Sequence, residues 1–321
     1  MRIVVFAARI LVAAVFLFSG FVKLVDPLGS SYKFQEYFGE DVLNLEFLIP
    51  FALPFSILLI LVEILLGVTL LIGYKPKWTV WSLFGINLLF LFLTWYSAYY
   101  DKVTDCGCFG DALKLSPWDT FYKNVILLIV LVPLFQFRYL KPIFSQVVLK
   151  RITIFCFLVF VFITNHVLMH LPIVDFRAYA IGKNIIEGME YQDDSDELPP
   201  VHDFFLESET EDLTTTILEA SKSMLIISYN LDVAEEDAFT AVKEVAQKAK
   251  DKGYLVYGVS ASATSELTAL QKKLGLPFEF LFCDETTLKT MIRANPGIMI
   301  LKNATITGKW NWRDADKVLL D

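Results

Sequence analysis

Residues 51–72 read FALPFSILLILVEILLGVTLLI, twenty-two positions whose only polar side chains are Ser56, Glu63 and Thr69. A helix rises 1.5 Å per residue, so about 20 apolar residues cross the roughly 30 Å of hydrocarbon in a bilayer. A stretch apolar on every side has no face to offer water, and it reads as a membrane span. Four more stretches, 3–24, 78–99, 118–137 and 152–171, share this length and character and carry Trp or Tyr near several of their ends, as interfacial belts do. The expected first domain is therefore an all-α helical membrane bundle of about five spans over residues 1–174. The whole chain is 55% hydrophobic, above the usual 45 to 50% or so of soluble proteins, which agrees with partial immersion in lipid.

Charge separates the two halves. Residues 1–174 hold 13 Lys/Arg against 10 Asp/Glu, and residues 175–321 hold 15 against 26. So acidic a second half has little to neutralise phosphates with, and nucleic-acid binding is set aside. The short connections at 73–77 and 138–151 contain Lys75, Lys77, Arg138, Lys141, Lys150 and Arg151 and no acid. Basic short loops face the cytoplasm. The first run lacks an Ala-x-Ala cleavage site, so it is expected to be a retained span with a cytoplasmic N-terminus. Five spans then put everything beyond Leu171 outside the cytoplasm. In a Gram-negative cell this is a multi-pass inner (cytoplasmic) membrane protein with a periplasmic C-terminal domain.

Residues 175–212, with the acidic, proline-bearing run Asp193 to Pro200, read as an extracytoplasmic linker. From 213 to 321 short β-type runs alternate with helical ones: strand 224–229, helix 234–251, strand 254–260, helix 265–274, strand 278–283, helix 286–292, a hairpin over 298–310 and a final helix from Arg313. That order predicts a soluble α/β domain with parallel pairing at its start.

The sharpest local signal is Asp105-Cys106-Gly107-Cys108-Phe109-Gly110-Asp111, between the third and fourth spans. Two thiols one residue apart close a ring only with backbone distortion, which Gly107 eases, and a strained exposed disulfide suits exchange. A structural disulfide or two idle thiols fit the residues equally well. Glu63 and Asn87 lie at mid-membrane depth, where polar groups turn toward a partner, and Arg9 is close enough along the first span to be expected to reach Glu63. These three could line a proton path or meet a quinone headgroup, or simply clamp helices together. Cys283 ends a strand and is either a packed small residue or an accessory thiol. Cys156 lies within the fifth span and reads as packing. His166 and His170, four residues apart, share a helix face but lack a third ligand, so no metal site is expected.

The segment from Arg9 to Asp26, with its Phe-Leu-Phe-Ser-Gly-Phe-Val-Lys-Leu-Val-Asp run, Glu63 with Gly67, and Cys-Gly-Cys-Phe-Gly at 106–110 resemble the DoxX/MauE-like family of four-helix membrane proteins. The resemblance covers roughly residues 1–138; the fifth span and the fused domain depart from it. It implies that Cys106 and Cys108 are a redox pair serving disulfide formation or protein maturation with a thioredoxin-like partner or other extracytoplasmic client. Through the DoxX branch it implies a quinone. The C-terminal strand and helix order resembles the thioredoxin fold of TlpA-like and peroxiredoxin-like proteins, which implies that Pro296, in Asn295-Pro296-Gly297, is a cis proline. Where redox-active members carry Cys-x-x-Cys, this chain reads Tyr229-Asn230-Leu231-Asp232-Val233-Ala234-Glu235-Glu236, and Asp232 resembles a helix N-cap. Two functions stand: a membrane thiol-disulfide oxidoreductase, or a non-catalytic scaffold whose thioredoxin-like domain binds a partner. A solute carrier would need paired broken helices that the sequence does not show.

Overall fold

The computed structural model describes residues 1–103, 107–113, 115–191 and 198–321. The chain divides into a unit of Met1–Leu168 and a unit of Met169–Asp321.

The first unit is helical: α1 (Arg2–Val25), α2 (Pro27–Phe38), α3 (Ala52–Ile72), α4 (Pro76–Tyr100), α5 (Pro117–Leu131) and α6 (Gln146–Met169). Among the described residues, five helices are long and apolar enough to cross a membrane. Two of them are extended by 3₁₀ turns, Glu46–Phe51 before α3 and Val132–Phe135 after α5. Val12 and Phe16 of α1 meet Leu70 of α3, Leu83 of α4 and Leu131 of α5 in the core. Ile3, Trp78 and Phe162 are among the large apolar side chains left exposed, as a lipid solvent allows. Close approach of α1 and α3 depends on two glycines. A Cβ on Gly20 would stand 2.8 Å from Ile64 Cβ, and one on Gly67 would stand 2.9 Å from Leu17 Cγ.

Helix α2 lies in what the sequence presents as a plain acidic connection. Its start is well specified: Asp26 accepts the Gly29 N–H at 2.9 Å, and Pro27 occupies the first turn, where its missing N–H costs nothing. The helix buries Ser31, Tyr37 and Phe38.

The second unit carries α7 (Ile185–Met189), α8 (Thr214–Glu219), β1 (Ser223–Ile227), α9 (Glu236–Asp251), β2 (Leu255–Ser260), α10 (Thr264–Leu274), β3 (Phe280–Phe282), α11 (Glu285–Met291), β4 (Gly297–Lys302) and β5 (Thr305–Asn311). The sheet order is β3-β2-β1-β4-β5, parallel from β3 to β1 and antiparallel across β4 and β5. The expected α/β alternation is therefore present, although the final helix is a 3₁₀ turn, Trp312–Lys317. Side chains alternate along the central strands. Met224 and Ile226 of β1 join Ile298 and Ile300 of β4 under α9, whereas Leu225 and Ile227 join Met299 and Leu301 on the other face. Both faces are covered, so the strands read as continuous apolar runs.

Two local readings change. Outside its acidic run, residues 192–197, which lie outside the described residues, the stretch read as a linker belongs to the folded unit. Tyr179, Ile185, Val201, Phe204 and Leu206 are buried on one sheet face, and Glu207 bridges to Phe282. Single large residues laid across a sheet leave no periodicity to detect. Asp232 does not cap α9, which begins four residues later. Asn230 does the capping locally, accepting the Asp232 N–H at 2.8 Å in a 3₁₀ turn of Leu231–Val233.

Candidate functional site

Cys106 lies outside the described residues, so the site is built from Cys108 and what surrounds it. Gly107 has φ +63°, and a Cβ there would stand 2.8 Å from Lys33 Cγ of α2; backbone conformation and close approach both call for glycine. Cys108 is half-buried. Its carbonyl accepts a hydrogen bond from Ser19 Oγ of α1 at 2.7 Å. Ser19 Oγ in turn accepts from Lys23 Nζ, one helical turn along the same face, also at 2.7 Å. Lys23 Nζ donates to Glu63 of α3, 2.9 Å to Oε2 and 3.2 Å to Oε1. Lys23 and Glu63 are both buried, and the lysine also lies over the Phe90 ring at 5.5 Å.

Other cations crowd the loop. Lys123 of α5 stands 4.4 Å above the Phe109 ring, which packs on Phe18 at 5.5 Å. Lys33 pairs with Glu36 at 2.9 Å. Lys23, Lys33 and Cys108 line one cavity of about 60 Å³, whose walls include Phe34, Ser56 and Phe90. The arrangement can hold an anionic sulfur near positive charge at the edge of an otherwise apolar space.

The expected Arg9–Glu63 pair does not form. Arg9 instead closes the C-terminal end of α3: Nε donates to Leu70 O at 2.9 Å, Nη2 to Leu71 O at 2.9 Å and Nη1 to Lys141 O at 3.1 Å. The last carbonyls of a helix lack intrahelical donors and carry its negative pole, so a cation settles there. Leu70 is seven residues from Glu63, about 10 Å along the axis. Lys23 is the partner that sequence reasoning missed; the signal was Ser19 and Lys23 four residues apart beside Gly20. Asn87 belongs to a separate α4–α5 clamp. Its Nδ2 donates to Asn124 O at 3.1 Å, and Asn124 Nδ2 donates to Thr94 Oγ1 at 3.3 Å.

In the second unit the Asn295–Pro296 peptide bond is cis and Pro296 is buried. Asn295 Oδ1 accepts from Ser228 Oγ at 2.8 Å, and its Nδ2 donates to Asn230 O at 2.6 Å, tying down the loop after β1. Cys283 is 1% exposed, and burial pushes its thiol up to about 11. Tyr179 is also raised by burial, and its hydroxyl has no hydrogen-bond partner among the described residues. Cys156 is half-buried in α6. His166 stacks on Phe162 at 6.5 Å, and His170 Nδ1 meets Asp314 Oδ2 at 2.7 Å. Among the described residues no group of three His, Cys, Asp or Glu could hold a metal.

A buried charge cluster also escaped the sequence. Asp175 is gripped at both oxygens by Arg177, Nε at 2.7 Å and Nη2 at 2.8 Å, and receives Lys309 Nζ at 2.7 Å. Burial alone would raise Asp175, but the charges and hydrogen bonds of Arg177 and Lys309 outweigh it and bring it down to about 2. Burial lowers Lys309 to about 7, helped by the Arg177 charge and opposed by Asp175. The two shifts pull the ion pair in opposite directions. The bidentate arginine decides the matter, since Asp175 stays ionised whether or not Lys309 holds its proton.

The family described as methylamine utilisation protein MauE matches residues 1–136, which takes in α1 to α5 and the whole Ser19–Lys23–Glu63–Cys108 arrangement. No curated protein and no solved structure matches the chain. With five membrane-length helices and this match over its N-terminal part, the chain is a multi-pass integral membrane protein whose helical part is similar to the MauE family.

Proposed function

We propose that this integral membrane protein serves extracytoplasmic thiol-disulfide exchange or the maturation of exported proteins, with Cys106 and Cys108 as its redox pair. The observation that carries the reading is the setting of Cys108: half-buried, anchored through its carbonyl to α1, and sharing a cavity with two lysines. In the exchange step one thiolate attacks a client disulfide sulfur and expels the other client sulfur as a thiolate. The second cysteine then attacks the mixed disulfide, so the pair ends oxidised and the client gains two electrons; run backwards, the pair oxidises the client. In the client-oxidising direction, which leaves the pair as two thiols, a membrane quinone, the acceptor implied by the resemblance to the DoxX branch, would take the two electrons and two protons and restore the disulfide. The basic turns at 73–77 and 138–151 support an inner-membrane orientation with the cysteine loop and the C-terminal unit in the periplasm.

The strand order, the antiparallel β4–β5 pair and the cis Pro296 support a thioredoxin-like reading of the second unit. One observation favours the scaffold alternative for it: residues 229–236 contain no cysteine, and Asn295 ties that loop down. On this reading the unit recruits a client rather than reacting with it. Thiol trapping of Cys106 and Cys108 in intact cells, with and without a permeant reductant, tests the proposal. Exchange predicts a pair that moves between oxidised and reduced forms; a pair locked in one state under both conditions would refute it and leave the scaffold.

A further inference from the structure

We propose that Lys23 is the positioning residue of the cysteine loop: its ammonium, held in place by Glu63, fixes the Cys108 segment through Ser19 and favours the thiolate there. This rests on the exchange reading above and names the device that would make it work at neutral pH. A clamp between α1 and α3 would need only the Lys23–Glu63 pair. Here the ammonium has a third partner, Ser19 Oγ at 2.7 Å, and the serine passes its own hydrogen to Cys108 O at 2.7 Å. The carboxylate approaches from α3 and the loop from the side of Ser19, so the pair turns its positive end toward Cys108. Surrounded by apolar side chains, such a dipole is weakly screened. An isolated buried lysine would be costly in a membrane, and Glu63 offsets that cost.

The other charges around the loop are arranged differently on each element. Helix α2 brings Lys33, already paired with Glu36, and Asp26, whose carboxylate accepts at its own helix start. Helix α5 brings Lys123, engaged with the Phe109 ring. The loop itself carries Asp111 and, outside the described residues, Asp105. Lys23, by contrast, is tied to the Cys108 backbone through Ser19 by two successive hydrogen bonds.

The test uses full-length protein in lipid vesicles, reduced, with Cys106, Cys156 and Cys283 each changed to serine so that Cys108 alone reports. Its alkylation rate by iodoacetamide is followed from about pH 5 to about pH 10. Lys23→Met/Glu63→Met removes the whole ion pair and so avoids a lone buried carboxylate. It should slow alkylation at pH 7 about tenfold and leave the rate at pH 10 unchanged. Ser19→Ala should slow it about threefold, and Lys23→Arg should stay within about twofold of the parent. A double variant that follows the parent at every pH, or that is slowed equally at every pH, would overturn the proposal, because either result describes packing. Failure of the exchange reading looks different: Cys106 and Cys108 would not cycle in cells although the alkylation profile still depended on Lys23.

Discussion

Asp175→Asn should destabilise the C-terminal unit by about 3–5 kcal/mol, the usual cost of removing one partner from a buried ion pair. Asp175 accepts four hydrogen bonds, two from the Arg177 guanidinium, one from Lys309 Nζ and one from the Arg177 backbone N–H at 3.1 Å. Asparagine keeps the shape but removes the charge from two cations whose side chains are 2% and 3% exposed. A second route gives a floor. A fall from 3.8 to about 2 is worth roughly 2.5 kcal/mol at 1.36 kcal/mol per unit. Because the folded-state value is depressed, this contribution is full above about pH 4 and is lost as the pH drops through about 2, so the variant should be flat in that window where the parent is not. Hydrogen exchange on the full-length protein in detergent, read at the slowest amides of β1 and β4, measures the difference. A loss under about 1 kcal/mol at pH 7 would refute the reasoning, since it would mean that the cluster is solvated.

Lys309→Met tests the other half of the cluster. Lys309 is held below its ordinary value, so the unfolded chain binds the extra proton and the parent's stability should rise with pH from about 7 toward the normal lysine range; the variant should lack that rise in the same exchange experiment. Gly20→Ala should lower the melting point of the detergent-solubilised protein, at a cost of about 1–3 kcal/mol, because the new methyl meets Ile64 backbone as well as side chain. Gly85→Ala is its control: nothing lies within 4 Å of that Cβ, and the change should be neutral or slightly stabilising. Cys283 should resist alkylation in the native protein at pH 7 and react at an ordinary rate once the unit is unfolded, as mass spectrometry after timed quenching would show.

The spans were legible because a bilayer demands one simple property over a fixed length, and residues 51–72 display it without interruption. The strands and helices of the second unit were legible from their alternation, with small shifts at the ends. Other features were not. Helix α2 is amphipathic and half polar, so its acids masked its period, although Asp26-Pro27 announces a helix start. Depth in the membrane alone pairs Arg9 with Glu63, but depth ignores that the end of α3 is itself an acceptor for a cation. The Asp175, Arg177 and Lys309 cluster joins residues more than 130 positions apart, and no local pattern encodes such a meeting. At the candidate site Cys106, Cys108 and Glu63 stand out in the sequence, while Ser19 and Lys23, which connect the last two, merge into the apolar run of the first span.

Where thiolate chemistry can sit in this chain is decided by charge more than by fold. In the second unit the junction after β1 leads into α9 with Glu235 at its N-cap and Asp237 in its first turn, and acids at a helix start occupy the positive pole that would otherwise steady a sulfur anion. The cysteine that unit does possess is buried, and its proton is held more tightly than in water. Around Cys108 cations are at hand although acids accompany them: Lys23, held by Glu63, reaches its carbonyl through Ser19; Lys33, paired with Glu36, lies against Gly107; and Lys123 covers Phe109. A cysteine moved into the β1–α9 junction would therefore be expected to stay protonated at neutral pH even with the cis proline beside it. The proposal that exchange belongs to the membrane unit and recognition to the soluble one follows from that asymmetry.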